Sequence, residues 1–318
     1  MSARFCIAET GLPLLGDACD EEAVSQRLEE LLALIGCCWR EQQEVCRWSK
    51  LEYVEIVPGV CLADLMYQPQ RLDRVLQLAL QETLNRCRLW DGNDDAVEPT
   101  VELLVDEEAA DAPSAVWACA EQESGRAVAC LSISPCDSGQ RRVQVAGKSW
   151  RVFFLCQSEC SCRREFYRTI PTIEDLDEDK YLAAAPLMFP TLYFKPDIGR
   201  EFRRFAGGYR AVREEVTRHL AILSDHFLRI FGSQHQQLEP TLKELRACGL
   251  DVSGESPSTK SNKDAWKQRK ITIAGQDLYC ELHLKLEPTK NRIHFHPGQP
   301  DIADGKVIIG IFHEHLPT

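Results

Sequence analysis

Apolar residues recur at helical spacing in three long stretches. Over 21–35, Val24, Leu28, Leu31, Leu32 and Ile35 share one face, and Asp20 is placed to cap the first turn. Over 71–89 the same spacing runs through Leu72, Val75, Leu76, Ala79, Leu80, Leu84 and Cys87. After the break at Gly207-Gly208, Tyr209, Val212, Val216, Leu220, Leu223, Phe227 and Phe231 form the longest stripe, predicting a helix over 209–231. A further helix is expected at 239–248, stopped by Gly249.

Elsewhere the pattern is that of strands. The runs 115–120, 127–133, 142–145 and 150–155 are separated by Ser124-Gly125, Ser138-Gly139 and Ala146-Gly147, and they predict an antiparallel β-meander. Residues 91–123 hold eleven acids and no base, and read as a solvated surface segment with one short strand near 101–105. The small polar run SGESPSTKSN (253–262) reads as a linker. Beyond it, four strands are expected at 271–273, 278–286, 292–296 and 306–313. The expected fold class is therefore α+β, in three parts. An acidic α+β domain spans 1–165 and a helical segment 166–252. A C-terminal, four-stranded, mainly antiparallel sheet spans 253–318 and packs on the 209–231 helix, with Leu282, Leu284, Ile293, Phe295 and Ile309 buried against it.

Composition changes this picture little. Hydrophobic residues at 44% and charged residues at 27% are ordinary for a globular chain. The N-terminal MSARFCIAET has no apolar run, and no stretch matches a membrane helix, so a cytoplasmic protein with no membrane partner is expected. Fifteen cysteines, odd in number and irregular in spacing, are expected to be reduced. The net charge of −12 is uneven: residues 256–318 carry nine Lys/Arg against seven Asp/Glu, and the remainder 28 against 42. Contact with RNA would therefore be local and C-terminal.

Reactive side chains concentrate in that C-terminal sheet. All eight histidines follow residue 218, and His283, His294, His296, His313 and His315 lie in the last 36 residues. Strand alternation places Glu281, His283 and Lys285 on one face of one strand, and Arg292, His294 and His296 on the matching face of the next. Such a set suits metal-independent phosphodiester cleavage, with Glu or His as base, another His as acid, and Arg or Lys on the phosphate. A half-exposed sheet also carries such residues with no function at all. His294-x-His296 and His313-x-His315 form an alternative, a zinc site of four nitrogens. Cys136, Cys156, Cys160 and Cys162 lack the spacing of a zinc knuckle, and the arginines of 200–218 read as a salt-bridged surface. Signature loops of P-loop nucleotidases, dinucleotide-binding folds and α/β-hydrolases are missing.

The run ELHLKLEPTKNRIHFHPG and the ending KVIIGIFHEHLPT, with FPTLYF, RFAGGY, HLAILSD and GESPST upstream, resemble the signature of a bacterial protein family. That resemblance covers roughly 185–318. It implies a bacterial origin and a place among phage-defence genes, and it carries no activity with it. The last fifty residues are also similar to the closing meander of RelE-type ribonuclease toxins. The shared order is a polar-alternating strand (281–287), then Arg292-Ile293-His294-Phe295, then an apolar strand ending at His313 or His315. By that similarity Arg292 would bind phosphate, Glu287 or Glu281 would be the base, and His313 or His315 the acid. The chain departs from those small, basic toxins in being long and acidic. Two functions follow as expectations. One is a defence effector whose C-terminal sheet cuts RNA; the other is a non-catalytic subunit that binds a partner protein in a defence or toxin–antitoxin complex. On the first, Arg292 would be an exposed fork whose replacement by Lys or Ala harms activity and spares stability.

Overall fold

The computed structural model describes residues 4–14, 21–68, 70–92, 103–133, 138–156 and 161–317. The Asp20 cap, residues 101–102, Cys136 and Cys160 lie outside them. The chain is α+β and divides into two compact units, Ser2–Asp175 and Leu176–Thr318.

The N-terminal unit is built on one eight-stranded sheet. Its strands are β1 (Arg4–Ile7), β2 (Glu44–Arg47), β5 (Arg88–Leu89), β6 (Leu103–Val105), β7 (Glu108–Ala109), β8 (Val128–Leu131), β9 (Gly139–Val145) and β10 (Lys148–Leu155). A small separate hairpin joins β3 (Glu55–Val57) to β4 (Val60–Cys61). The order in the large sheet is β5-β2-β1-β8-β10-β9-β6-β7. The first five of these pair in parallel, and the rest are antiparallel. Parallel neighbours need crossovers. These use α1 (Glu21–Arg40), α2 (Leu62–Tyr67), α3 (Arg74–Arg86) and α4 (Pro113–Glu123), and α5 (Ser161–Ile173) follows β10. Alternate residues fill both faces of the sheet. Cys6, Val128, Cys130, Val152 and Phe154 pack with Ala115, Ala118 and Cys119 of α4. On the other face Phe5 and Phe153 meet Phe166 of α5 at ring distances of 5.5 and 5.7 Å.

Of the four runs expected to form the meander, 127–133, 142–145 and 150–155 fall on β8, β9 and β10, but only β9 and β10 pair antiparallel; β8 pairs in parallel with β1 and β10, so the three do not form a meander. The fourth, 115–120, is a correction: it lies in α4. Pro113 opens that helix, and Glu9 accepts hydrogen bonds from the Ser114 N–H (3.2 Å) and hydroxyl (2.5 Å). The 71–89 helix is α3, capped by Asp73, but Val75 from its expected apolar stripe is 75% exposed.

The C-terminal unit begins with α6 (Glu178–Met188) and β11 (Leu192–Phe194). The long α7 (Gly208–Ser233) and α8 (Leu238–Ala247) follow. The expected stripe of α7 is buried from Tyr209 to Phe227, and Phe227 meets Phe295 edge-on at 5.7 Å. Residues 253–262 are not a linker. They finish β12 (Val252–Gly254) and form α9 (Pro257–Ser261), followed by α10 (Lys263–Lys267). The expected strand 278–286 is broken at Cys280-Glu281. Its first half, β14 (Gln276–Tyr279), pairs only with β13 (Lys270–Ile273) in a separate hairpin. Its second half, β15 (Leu282–Lys285), joins β16 (Arg292–His296) and β17 (Val307–His313). The resulting sheet, β11-β17-β16-β15-β12, is antiparallel except for the β11–β17 pair. Leu282, Leu284, Ile293, Phe295 and Ile309 are all buried, as their alternation requires.

Candidate metal centre in the C-terminal sheet

The antiparallel register brings polar side chains into two cross-strand rows. Ser253 of β12 faces His283 of β15, which faces His294 of β16. One step along, Lys285 faces Arg292, which faces His313 of β17.

The first row meets Glu255, two residues after Ser253. Glu255 Oε1 lies 3.6 Å from His283 Nδ1 and 3.4 Å from His294 Nδ1, and the two imidazole centroids are 5.2 Å apart. One donor atom from each of Glu255, His283 and His294 falls within 4.8 Å of the others. The Ser256 side chain accepts from Thr259 N–H and starts α9, which fixes the segment that carries Glu255. The Glu255 N–H also donates to the Glu281 carbonyl at 2.9 Å. Arg269, itself 2% exposed, pairs with Glu255 through Nε–Oε1 at 3.0 Å and anchors Nη1 on the Ala265 and Pro317 carbonyls.

The electrostatics leave both imidazoles neutral. Burial, followed by the charge of a protonated His294, pushes His283 down to about 4, and burial also lowers His294. Burial alone would raise Glu255; the Arg269 guanidinium against it pulls the other way, as does His294 whenever that ring carries a proton, and the carboxyl lies below its usual range. Two neutral imidazoles and an ionised carboxylate are the protonation states that metal ligation demands. His283 Nε2 is 3.0 Å from Ser253 Oγ, which leaves Nδ1 for the cluster. His294 is 2% exposed, and neither of its ring nitrogens has a hydrogen-bond partner among the described residues. Buried His219 shows the ordinary alternative, with Nδ1 at 2.8 Å from the Glu215 carbonyl. An imidazole buried with both nitrogens unspent is costly unless something else meets it.

The structure places the other expected site residues elsewhere. Arg292 is buried, not exposed. It donates to the carbonyls of Glu287 (2.7 Å), Lys290 (2.7 Å) and Pro288 (2.9 Å), and so closes the turn before its own strand. Glu281 sits outside β15 and pairs with Lys260. Lys285 pairs with Asp251 at 3.2 Å. His313 does lie opposite Arg292, half-buried, with Nδ1 accepting the His315 N–H at 3.1 Å. The four-histidine zinc set does not assemble: His294 groups with His283 and Glu255, and no described metal-ligand group includes His296, His313 or His315. A bulge between His294 and Phe295 breaks the spacing on which the set relied, and His296 Nδ1 takes the Gly298 N–H.

No helix among the described residues is long and apolar enough to cross a membrane. No family model, curated protein or solved structure matches the chain.

Proposed function

We propose that the C-terminal unit is a divalent-metal hydrolase with two histidines and one carboxylate as ligands, acting on the phosphodiester backbone of RNA in a defence setting. One observation carries the reading: the pair of neutral, converging imidazoles whose inner nitrogens have no other partner, set beside an ionised Glu255. Three protein ligands, with no fourth among the described residues, are the pattern of a reactive rather than a structural zinc-type site. The ion would supply Lewis acidity at a phosphoryl oxygen. Ser253 would orient His283 through Nε2, and Arg269 would hold Glu255 in place while competing with the ion for Oε1. The metal-independent scheme loses support because the Arg292 guanidinium is already committed to three carbonyls. In the adjoining row Lys285, which would have to leave Asp251, and His313 would be the groups to meet a phosphate. RNA as the substrate rests on the resemblance to ribonuclease toxins and on the mildly basic C-terminal balance.

The second reading is a non-catalytic subunit that binds a partner protein. It is favoured by the closure of the cluster, where Glu255 and His294 side chains are 4% and 3% exposed. Equilibrium dialysis against Co2+ and Zn2+, followed by a chelator-controlled assay on labelled single-stranded RNA, separates the two. About one bound equivalent and chelator-sensitive cleavage, both lost in His294→Ala, supports the hydrolase. Metal binding without cleavage leaves the interaction subunit. No metal binding by the folded protein removes the proposal.

A further inference from the structure

The carboxyl ends of the parallel strands in the N-terminal unit carry a second candidate site. Chain order along the parallel arm reverses at β1, with β2 and β5 on one side and β8 and β10 on the other. Open sheets of this kind bind ligands in the crevice outside the strand ends at such a reversal. A cavity of about 410 Å³ lies there, lined by the segment after β1 (Glu9, Thr10), the segment after β2 (Trp48, Tyr53, Glu55) and the entry to α4 (Asp111). That volume is in the range of small-molecule sites.

Its walls are preformed. Ser49 binds Asp91 through its N–H (3.1 Å) and hydroxyl (2.5 Å), and Arg47 ties the same segment to the Leu84 carbonyl (2.9 Å) and to Glu52 (3.2 Å). Leu51 is fully buried beneath it. On the other wall, Gly11 runs so close to the end of β8 that a Cβ there would lie 2.8 Å from Ile133 N. Trp48 and Tyr53 thus stand on a braced loop, although Tyr53 is 74% exposed.

The sign of the site is unusual for its position. A helix N-terminus at a reversal point ordinarily receives a phosphate. Here the chain's own Glu9 occupies that place on α4, through the Ser114 N–H and hydroxyl. Three carboxylates line the cavity against one amine, Lys50. Burial pushes Glu9 up to about 7, so an arriving cation would favour its ionised form. An anion would meet mainly like charge.

We infer that this cavity binds a small organic cation, an alkylammonium or guanidinium whose body stacks on Trp48 and Tyr53 while its charge faces Glu9, Glu55 and Asp111. Aromatic walls with carboxylates are the usual means of holding such groups. None of these residues belongs to the metal centre, so the two proposals stand or fall separately.

The test uses the full chain with agmatine and tetramethylammonium as cationic probes and adenosine monophosphate as the anionic one, read by calorimetry. At least one cation should bind with a Kd below about 10 mM. Tyr53→Ala should weaken it about tenfold. That variant removes an exposed ring and leaves the fold alone. Glu9→Gln keeps an acceptor for Ser114 and should weaken binding to a similar degree. The inference is overturned if neither cation binds, if only adenosine monophosphate does, or if cation binding survives Tyr53→Ala unchanged.

Discussion

Arg292 illustrates how a side chain's partners decide its role. Its guanidinium meets three carbonyls of the Glu287–Lys290 turn, an arrangement that a lysine ammonium cannot copy at all three oxygens. Arg292→Ala should therefore cost about 2–3 kcal/mol, and Arg292→Lys a large part of that, in urea unfolding of the intact protein. Unchanged midpoints would mean that the three carbonyl contacts contribute little to stability. His283 gives a prediction of a different kind. Its folded-state value near 4 lies below the ordinary 6.5, so the unfolded chain takes up the proton first. The stability at stake is present above pH 6.5 and is lost as pH falls from 6.5 through 4; its size is about 3 kcal/mol. Wild type should lose stability steeply between pH 6.5 and 4, and His283→Gln less so, the remaining loss coming from buried His294. Parallel profiles for the two proteins would mean that His283 is not held neutral.

At the scale of elements, the β13–β14 hairpin sits where the sheet leaves it room. A Cβ on Gly310 of β17 would fall on the Cys280 sulfur and lie 3.0 Å from Ile271 Cδ1. Gly310→Ala should destabilise the protein by about 1–3 kcal/mol in denaturant titration, and a neutral result would show that the hairpin can shift at no cost. The same scale explains what the sequence discloses. The α7 stripe is legible because seven apolar residues hold a helical period, β16 from the alternation of Ile293 and Phe295 with polar residues, and β17 from its apolar run. The parallel arm of the N-terminal sheet is legible only in part: β8 and β10 fall on expected runs, but β1, β2, β5 and the parallel pairing do not show. β1, β2 and β8 are four residues long and mostly buried on both faces, so β8 shows no alternation and β1 almost none. Glu255 escapes notice for a related reason. Three residues of edge strand followed by a Ser-Pro helix start have the composition of a linker, and only the register places that carboxylate beside His283 and His294.

Across the whole molecule, the cysteines report on both units together. Twelve of the fifteen are described, and all twelve are free. Seven of these are buried: Cys6, Cys38, Cys46, Cys87, Cys119, Cys130 and Cys280. They serve as small apolar groups between strands and helices, as Cys6 and Cys130 of the sheet do against Cys119 of α4. Burial pushes the Cys46, Cys87, Cys119 and Cys280 thiols up to about 12 and Cys38 to about 11, so thiolate is scarce there at neutral pH. Cys37, Cys61, Cys156, Cys162 and Cys248 are partly exposed. A disulfide reagent at pH 7.5 should therefore react with the native protein in two phases. The fast phase should count no more than eight thiols, because seven of the fifteen are shielded. Denaturation without reductant, under exclusion of air, should bring the total close to fifteen. A native fast phase well above eight would mean that the cores open readily, and a denatured count several short of fifteen would reveal disulfides.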